Sequence, residues 1–186
     1  MKRLGGLLLL FLFLTGCSDG NQEMERAMTL RSRLLSAQGC SFDADITADY
    51  GDKVHTFSMS CQGNNKGDLS FTVTGPETIS GITGILSQDG GKLTFDDTAL
   101  HFELLADKQL SPVSGPWVLL KTLRSGYLTS AGMEEELLRL TIDDSYEDDA
   151  LQLDIWLNLE DIPIRAEVLY ADRRILSMDI TNFQIQ

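Results

Sequence analysis

Histidine, the side chain that most often acts as a general acid or base, is scarce in this sequence. It contains two histidines, His55 and His101. His55 shares an alternating register with Phe57, which predicts a partly buried structural position, whereas His101 alternates with Leu100 and Phe102 and is expected to face solvent. The sequence contains no Gly-x-Ser-x-Gly, no His-Glu-x-x-His and no glycine-rich phosphate loop. We therefore expect no catalytic residues, no cofactor and a protein that is not an enzyme.

One dense group of carboxylates has oxygen ligands of the kind that calcium prefers. It consists of Asp143, Asp144, Glu147, Asp148 and Asp149. The spacing does not match an EF-hand loop, because Asp148 stands where the turn glycine belongs. We expect a solvated hairpin tip and no specific metal site, with adventitious cation binding as the alternative.

Acylation is the chemistry that the N-terminal residues favour. Residues 1–16 have the three parts of an export signal, namely a basic start, the apolar run Leu7–Leu14 and a small residue before the cut. The apolar run is too short to cross a bilayer core of roughly 30 Å. Leu14-Thr15-Gly16-Cys17 resembles the bacterial lipobox, which implies a diacylglyceryl cysteine, with acyl chains such as palmitate, as the mature N-terminus. The alternative is a plain secretory signal and a free Cys17 thiol.

Export and acylation would hold the protein on the extracytoplasmic side of the cell membrane. Two acyl chains, at about 0.8 kcal/mol per buried CH2, anchor a protein firmly. Removal of residues 1–16 changes the net charge from -13 to about -15, and so acidic a domain is repelled by nucleic acid and by anionic bilayer surfaces. We expect residues 17–20 to form a short tether and residues 21–186 a single domain, with no nucleic-acid partner.

Cys40 and Cys61 form a pair that can be oxidised after export. The segments around them alternate with period two, which predicts one hairpin turning near Gly51-Asp52. A loop over Asp49–Asp52 would place the cysteines opposite each other, and a loop of Gly51-Asp52 would make them diagonal neighbours on one face. Either register allows a disulfide, worth about 3 kcal/mol in the chain-entropy model. The alternative is two unpaired buried thiols.

Period-two alternation dominates the chain after a helix predicted over residues 21–37. The candidate strands are 41–50, 53–62, 68–74, 79–87, 91–96, 98–105, 136–143, 150–160, 162–170 and 174–185. A meander that is apolar on one side must curl or lay helices across that side, because exposed apolar area costs about 25 cal/mol per Å2. The expected fold is mainly β (α+β): a curved, incomplete antiparallel β-barrel of about ten strands, with an N-terminal helix and a mid-chain helical lid or plug.

The mid-chain helix, predicted over 116–127, allows two interpretations. Its apolar residues have the spacing of a core stripe, but Gly115, Pro116, Gly126 and Gly132 at its ends could be hinges of a movable lid. Under the lid hypothesis, a hydrophobic ligand would be lined by Phe57, Met59, Phe71, Val73, Phe95, Phe102, Trp117, Leu120, Leu123, Tyr127, Leu153 and Ile155.

The order of these elements resembles the LolA/LppX-type lipoprotein-carrier superfamily, over nearly all of residues 21–186. Segments that contribute to the resemblance are Gly91-Lys92-Leu93-Thr94-Phe95-Asp96 and Ile162-Pro163-Ile164-Arg165-Ala166-Glu167. In that family an incomplete barrel wraps helices that plug its concave side, and the cavity takes lipid or acyl chains or docks a partner. The resemblance implies a lipoprotein that binds a lipid, an acyl chain or another hydrophobic ligand.

The alternative function is a protein-interaction scaffold, or a regulator of a cell-envelope enzyme, as in LolA-like spore germination lipoproteins. A hydrolase ranks third, because it needs a nucleophile and a base within hydrogen-bond reach. An ordered cavity of at least roughly 300 Å3 would favour ligand binding. A filled core with an exposed apolar edge would favour the scaffold.

Overall fold

The computed structural model of the protein describes residues 19–95, 98–103, 105–106, 109–147 and 150–186. The predicted signal peptide and the predicted lipidation site Cys17 lie outside the described residues. Asp148 and Asp149 of the carboxylate group lie outside them as well.

The chain begins with a helix and continues as a strand meander, which a second helix interrupts. The first part comprises α1 Asp19–Ser36, β1 Gly39–Asp49, β2 Val54–Asn64, β3 Leu69–Gly75, β4 Thr83–Ser87, β5 Gly90–Phe95 and β6 Thr98–Phe102. A minor hairpin of β7 Leu105–Ala106 and β8 Gln109–Leu110 leads through a 3-10 turn at Pro112–Ser114 to α2 Gly115–Ser125. The last part comprises β9 Tyr127–Glu134, β10 Leu137–Asp143, β11 Gln152–Leu157, β12 Pro163–Tyr170 and β13 Arg173–Ile185.

Eleven of these strands form one open antiparallel sheet in the order β6-β5-β4-β3-β2-β1-β13-β12-β11-β10-β9. The first and last strands of the domain, β1 and β13, are therefore neighbours in the middle of the sheet, and β6 and β9 are its edges. The predicted fold class is confirmed: the protein is mainly β, with an open sheet, an N-terminal helix and a mid-chain helix.

The strand prediction was wrong in two parts of the eleven-stranded sheet, and it also missed the short strand β8. Residues 127–134 form β9 and were not among the predicted strands, because this edge strand is mostly exposed and shows no regular alternation of buried residues. Residues 79–82 form a turn before β4, in which the Gly81 amide donates to the Val73 carbonyl oxygen at 2.9 Å. The mid-chain helix accordingly ends at Ser125, before Tyr127.

Both helices contribute to a single core on one face of the sheet, here called the inner face. Helix α1 buries Ala27, Leu30 and Leu34, and helix α2 buries eight of its eleven residues. Residues from the sheet that join them include Phe42, Ile46, Met59, Leu140 and Leu153. Neither of these two helices is long and apolar enough to cross a membrane.

Polar contacts hold helix α2 in place along its length. The Trp117 indole Nε1 donates to the Gly67 carbonyl oxygen at 2.9 Å, and Arg124 Nη1 donates to the Asn64 carbonyl oxygen at 2.7 Å. At the C-terminal end of α2, Arg31 of α1 donates to the Leu123 carbonyl oxygen at 2.8 Å, where a cation also complements the helix dipole. These contacts and the burial of α2 make it a core helix, as the core-stripe interpretation predicted.

The glycine after α2 is required by close packing. Gly126 has φ -71° and ψ 168°, an extended conformation that any residue adopts. A Cβ at this position would lie 2.7 Å from the Thr122 carbonyl oxygen and 2.7 Å from Cγ2 of Ile142. Gly126 therefore lets α2 turn into β9 against β10.

Replacement of this glycine tests the packing. We expect Gly126→Ala to lower the free energy of unfolding by about 1–3 kcal/mol, because the added methyl meets backbone and cannot be accommodated by a rotamer change. Gly132→Ala is the matched control, since a Cβ there meets nothing within 4 Å. Urea denaturation of both variants measures the difference, and equal stabilities would show that the end of α2 is loosely packed.

Candidate binding site

A cavity lies between helix α2 and two hairpin turns. Its volume is about 500 Å3. Helix α2 contributes Trp117, Leu120, Lys121, Arg124 and Ser125; the β2–β3 turn contributes Lys66, Gly67 and Asp68; and the β4–β5 turn contributes Ser87, Gln88 and Asp89. We call this space the α2 cavity. Its volume falls in the range of small-molecule sites in proteins.

One face of helix α2 forms a wall of the α2 cavity, because its lining residues recur at the spacing of helical turns. Trp117 and Leu120 are 8 % and 4 % exposed, and they form the apolar part of the wall. Lys121 and Arg124 follow on the same face, and Lys121 Nζ lies 5.7 Å from the centre of the Trp117 ring. The wall therefore combines apolar side chains with two cations, one of which lies over the indole ring.

The β2–β3 turn is shaped by Asn64. Its side-chain Oδ1 accepts hydrogen bonds from the amides of Lys66 at 2.9 Å and Asp68 at 3.0 Å. Gly67 has φ +95°, a left-handed conformation that favours glycine, and its carbonyl oxygen accepts the Trp117 indole bond. The turn is thus preorganised locally and fixed to α2 by the side chains of Trp117 and Arg124.

Most of the predicted ligand-lining residues are packed in the core. Phe57, Met59, Phe71, Val73, Trp117, Leu120, Leu123, Leu153 and Ile155 are all buried. Of these, Trp117 and Leu120 also line the α2 cavity. Phe102 is partly buried and its ring covers Gly91. Phe95 and Tyr127 are 49 % and 38 % exposed and so do not belong to the core, because Phe95 ends β5 and Tyr127 begins the edge strand β9.

The basic and acidic residues of the α2 cavity were not among the predicted site residues. Lys121 and Arg124 could have been found from the sequence, because they follow Trp117 at helical spacing. Lys66 and Asp89 could not, because they belong to two different turns that come together only in the folded sheet.

The structure corrects one histidine prediction and confirms the other. His55 is exposed, because it lies near the start of β2, where the strand has not yet entered the buried part of the sheet. Its ring centre is 6.4 Å from that of Tyr50. His101 is exposed on β6, as predicted.

The carboxylate group does not form a metal site within the described residues, where no cluster of three or more His, Cys, Asp or Glu side chains is suitably placed. Asp144 instead organises the β10–β11 connection. Its Oδ1 accepts from the Leu151 amide at 2.8 Å, and its Oδ2 lies 3.4 Å from Lys121 Nζ. The carboxylate therefore connects this loop to helix α2.

An exposed apolar area lies at the β6 edge of the inner face. Leu93 of β5 pairs with Leu100 of β6, and Phe95 follows on the same face of β5. Leu100 is 61 % exposed and Phe95 49 %. We call these three residues the β6-edge patch. It adjoins the outer side of β6, which pairs with no further strand among the described residues and is an edge of the sheet.

No protein-family model and no curated protein sequence matches the chain. Solved structures to which it is similar include a LolA superfamily protein from Nitrosomonas europaea, with 7% identity, a TM-score of 0.46 and coverage of 91% of this chain and 94% of that one. A DUF1329 family protein from Desulfovibrio piger has 11% identity, a TM-score of 0.45 and the same coverages. The Mycobacterium tuberculosis lipoprotein LppX has 11% identity, a TM-score of 0.40 and coverage of 86% and 91%.

These structures include the LolA and LppX proteins that the order of elements was expected to resemble. At such identities the likeness extends to the fold and to nothing else. The ligand and the partners of this protein follow only from its own residues.

The predicted disulfide between Cys40 and Cys61 is absent from the structure, in which both residues are free, buried thiols. Cys40 pairs with Gly63 and Cys61 with Phe42, so the cysteines are diagonal neighbours on the inner face and not opposite each other. Burial raises the pKa of both thiols, and the nearby Asp43 carboxylate raises that of Cys61 further. Both therefore stay protonated at neutral pH, which makes them slow to react once the protein has folded.

Oxidation of this pair stays a prediction for the exported protein, in which the bond would form during folding, before burial removes the thiolates. When exported protein is unfolded without reductant, we expect iodoacetamide to modify neither Cys40 nor Cys61. After reduction, we expect both cysteines to be alkylated. Peptide mass spectrometry makes the comparison, with protein retained in the cytoplasm as the control. Alkylation of both cysteines before reduction would show that the thiols stay free.

Proposed function

We propose that the protein is an extracytoplasmic lipoprotein, anchored through Cys17, that binds a lipid, an acyl chain or another small amphipathic molecule in the α2 cavity. The observation that supports this function best is a cavity of about 500 Å3 whose wall combines buried apolar side chains with polar ones. Apolar surface supplies binding energy, and a few polar groups orient the ligand.

The proposed site differs from the one expected under a movable lid. The apolar inner face behind α2 is already filled by the helix, so a ligand there would have to replace a large part of the core. The α2 cavity needs no such replacement, because it is open space between the helix and the β2–β3 and β4–β5 turns. Ligand binding in this cavity leaves the contacts of α2 with the sheet intact.

The anchor and the α2 cavity would lie at the same end of the sheet. One residue, Ser18, separates Cys17 from the start of α1. Arg26 of α1 forms an ion pair of 2.7 Å with Asp161 in the β11–β12 turn, and α1 then leads into β1, which begins opposite the end of β2. A lipid on Cys17 would therefore hold this end, with the β2–β3 turn, close to the bilayer.

A second candidate function is binding of a cell-envelope protein through the β6-edge patch. The specific observation is that Leu100 and Phe95 are exposed beside an unpaired strand edge, where a partner strand can add backbone hydrogen bonds. This function would not require the α2 cavity, so variants in the two places distinguish the candidates.

Filling the α2 cavity tests the first function. In a Trp156→Phe background, Trp117 is the one remaining tryptophan and reports ligand binding by its fluorescence. We expect Ser125→Tyr to weaken the binding of dodecanol by about tenfold, equivalent to about 1.4 kcal/mol, because the phenol occupies the cavity. Ser36→Tyr is the matched control, since Ser36 is also an exposed helix serine whose hydroxyl donates to the carbonyl four residues earlier. Equal weakening by both substitutions would contradict the proposed site.

Replacing the anchor residue tests the location. We expect Cys17→Ser to abolish incorporation of labelled palmitate and to move the protein from the membrane fraction to the soluble extracytoplasmic fraction, because no thiol remains to be acylated. Ser18→Ala serves as the control and should stay membrane-bound. Membrane retention of the Cys17→Ser protein would contradict anchoring by this residue.

A further inference from the structure

We propose that the α2 cavity selects ligands with an anionic headgroup, a phosphate or carboxylate attached to an alkyl chain, and that Lys66, Lys121 and Arg124 recognise this group. The inference rests on the proposed function, because it names the class of ligand for the same site. The apolar chain would lie against Trp117 and Leu120, and the charged group would lie towards the cations.

Arg124 provides the main argument. Its Nη1 donates to the Asn64 carbonyl oxygen, but Nε and Nη2 of this partly exposed residue are shielded from solvent and have no hydrogen-bond partner among the described residues. Shielded donors without a partner are costly, and proteins normally supply a partner for them. Among the described residues, no carboxylate forms a salt bridge with Arg124, so an anion entering the cavity beside the guanidinium would supply the missing negative charge.

The other two cations reinforce this position. Lys66 projects from the β2–β3 turn and forms no salt bridge with any described residue, and Lys121 lies one helical turn before Arg124, with 40 % of its side chain exposed. Lys121 lies 3.4 Å from Asp144, a long contact that leaves the ammonium able to engage a second anion. Three cations around one cavity are notable in a chain of net charge -13.

Two carboxylates also line the α2 cavity and limit its charge. The Asp68 carboxylate accepts a hydrogen bond of 3.1 Å from Asn64 Nδ2, which engages it in the turn, and Asp89 is exposed at the tip of the β4–β5 turn. With three cations and two anions the lining has a net charge of +1. This balance favours a ligand with one compact anionic group over a highly charged one.

The test compares ligands that differ only in the headgroup. The exported full-length chain carrying Cys17→Ser and Trp156→Phe is titrated with dodecyl phosphate, with dodecanol and with inorganic phosphate, and Trp117 fluorescence and calorimetry follow binding. We expect dodecyl phosphate to bind about tenfold more tightly than dodecanol. Arg124→Gln should remove most of this preference, measured as the ratio of the two affinities in the same variant.

Two further variants keep the test decisive. Lys66→Gln, on an exposed turn, should reduce the preference for dodecyl phosphate without a change in thermal stability, so the inference stays testable should Arg124→Gln fold poorly. Arg33→Gln, on the exposed surface of α1, removes the same charge elsewhere and should change neither affinity. If Arg33→Gln lowers the preference for dodecyl phosphate as much as the cavity variants do, the net charge of the protein alone is responsible for that preference. This result would overturn the inference.

The outcomes separate the two proposals. If dodecanol and dodecyl phosphate bind with equal affinity, the anion selectivity is wrong and the proposed function stands. If neither binds, the proposed function is wrong, and the selectivity with it. If inorganic phosphate binds as tightly as dodecyl phosphate, the cavity has an anion site but the alkyl chain contributes nothing to binding. That result would overturn the proposed function.

Discussion

The structure depends on the need to cover one apolar face of an open sheet. An eleven-stranded sheet that does not close leaves one whole side of alternating apolar residues exposed unless another element buries it. Helix α2 does this for the middle of the sheet, and for that reason eight of its eleven residues are buried. Helix α1 covers the neighbouring part with Leu30 and Leu34 and reaches the end of α2 with Arg31.

A helix that is buried on most sides has few polar side chains available for its own attachment. In α2 the side chains that attach the helix are those of Trp117, Lys121 and Arg124. They bind the helix to the β2–β3 turn and to the β10–β11 connection. The same three side chains line the α2 cavity. The attachment uses only part of their hydrogen-bonding capacity, since two nitrogens of Arg124 have no partner in the part of the chain that the structure describes. The same residues therefore connect the core to the candidate site.

The general architecture could be predicted from the sequence because period-two alternation is a local signal. Residues such as Ala44, Ile46 and Leu153 show this pattern clearly, and they are buried as expected. The same signal failed for β9, because an edge strand with one neighbouring strand buries few of its side chains. It also failed for His55, because alternation does not show where along its length a strand enters the core.

The cavity itself could not be predicted in this way. Alternation shows which side chains face the core, but not whether the core has room for a ligand. That depends on how tightly α2 packs, on the close approach of Gly126 to Ile142 and on the meeting of two turns. All three are properties of the folded chain.

The pairing of β1 with β13 affects how this protein can fold. Cys40 lies beside Ile185, so the central ladder of the sheet joins two segments at opposite ends of the domain sequence. Contacts of such high contact order form slowly and require nearly the whole chain. A partly synthesised polypeptide that lacks β13 cannot complete the sheet, so the central ladder forms only once residues 173–185 have been synthesised.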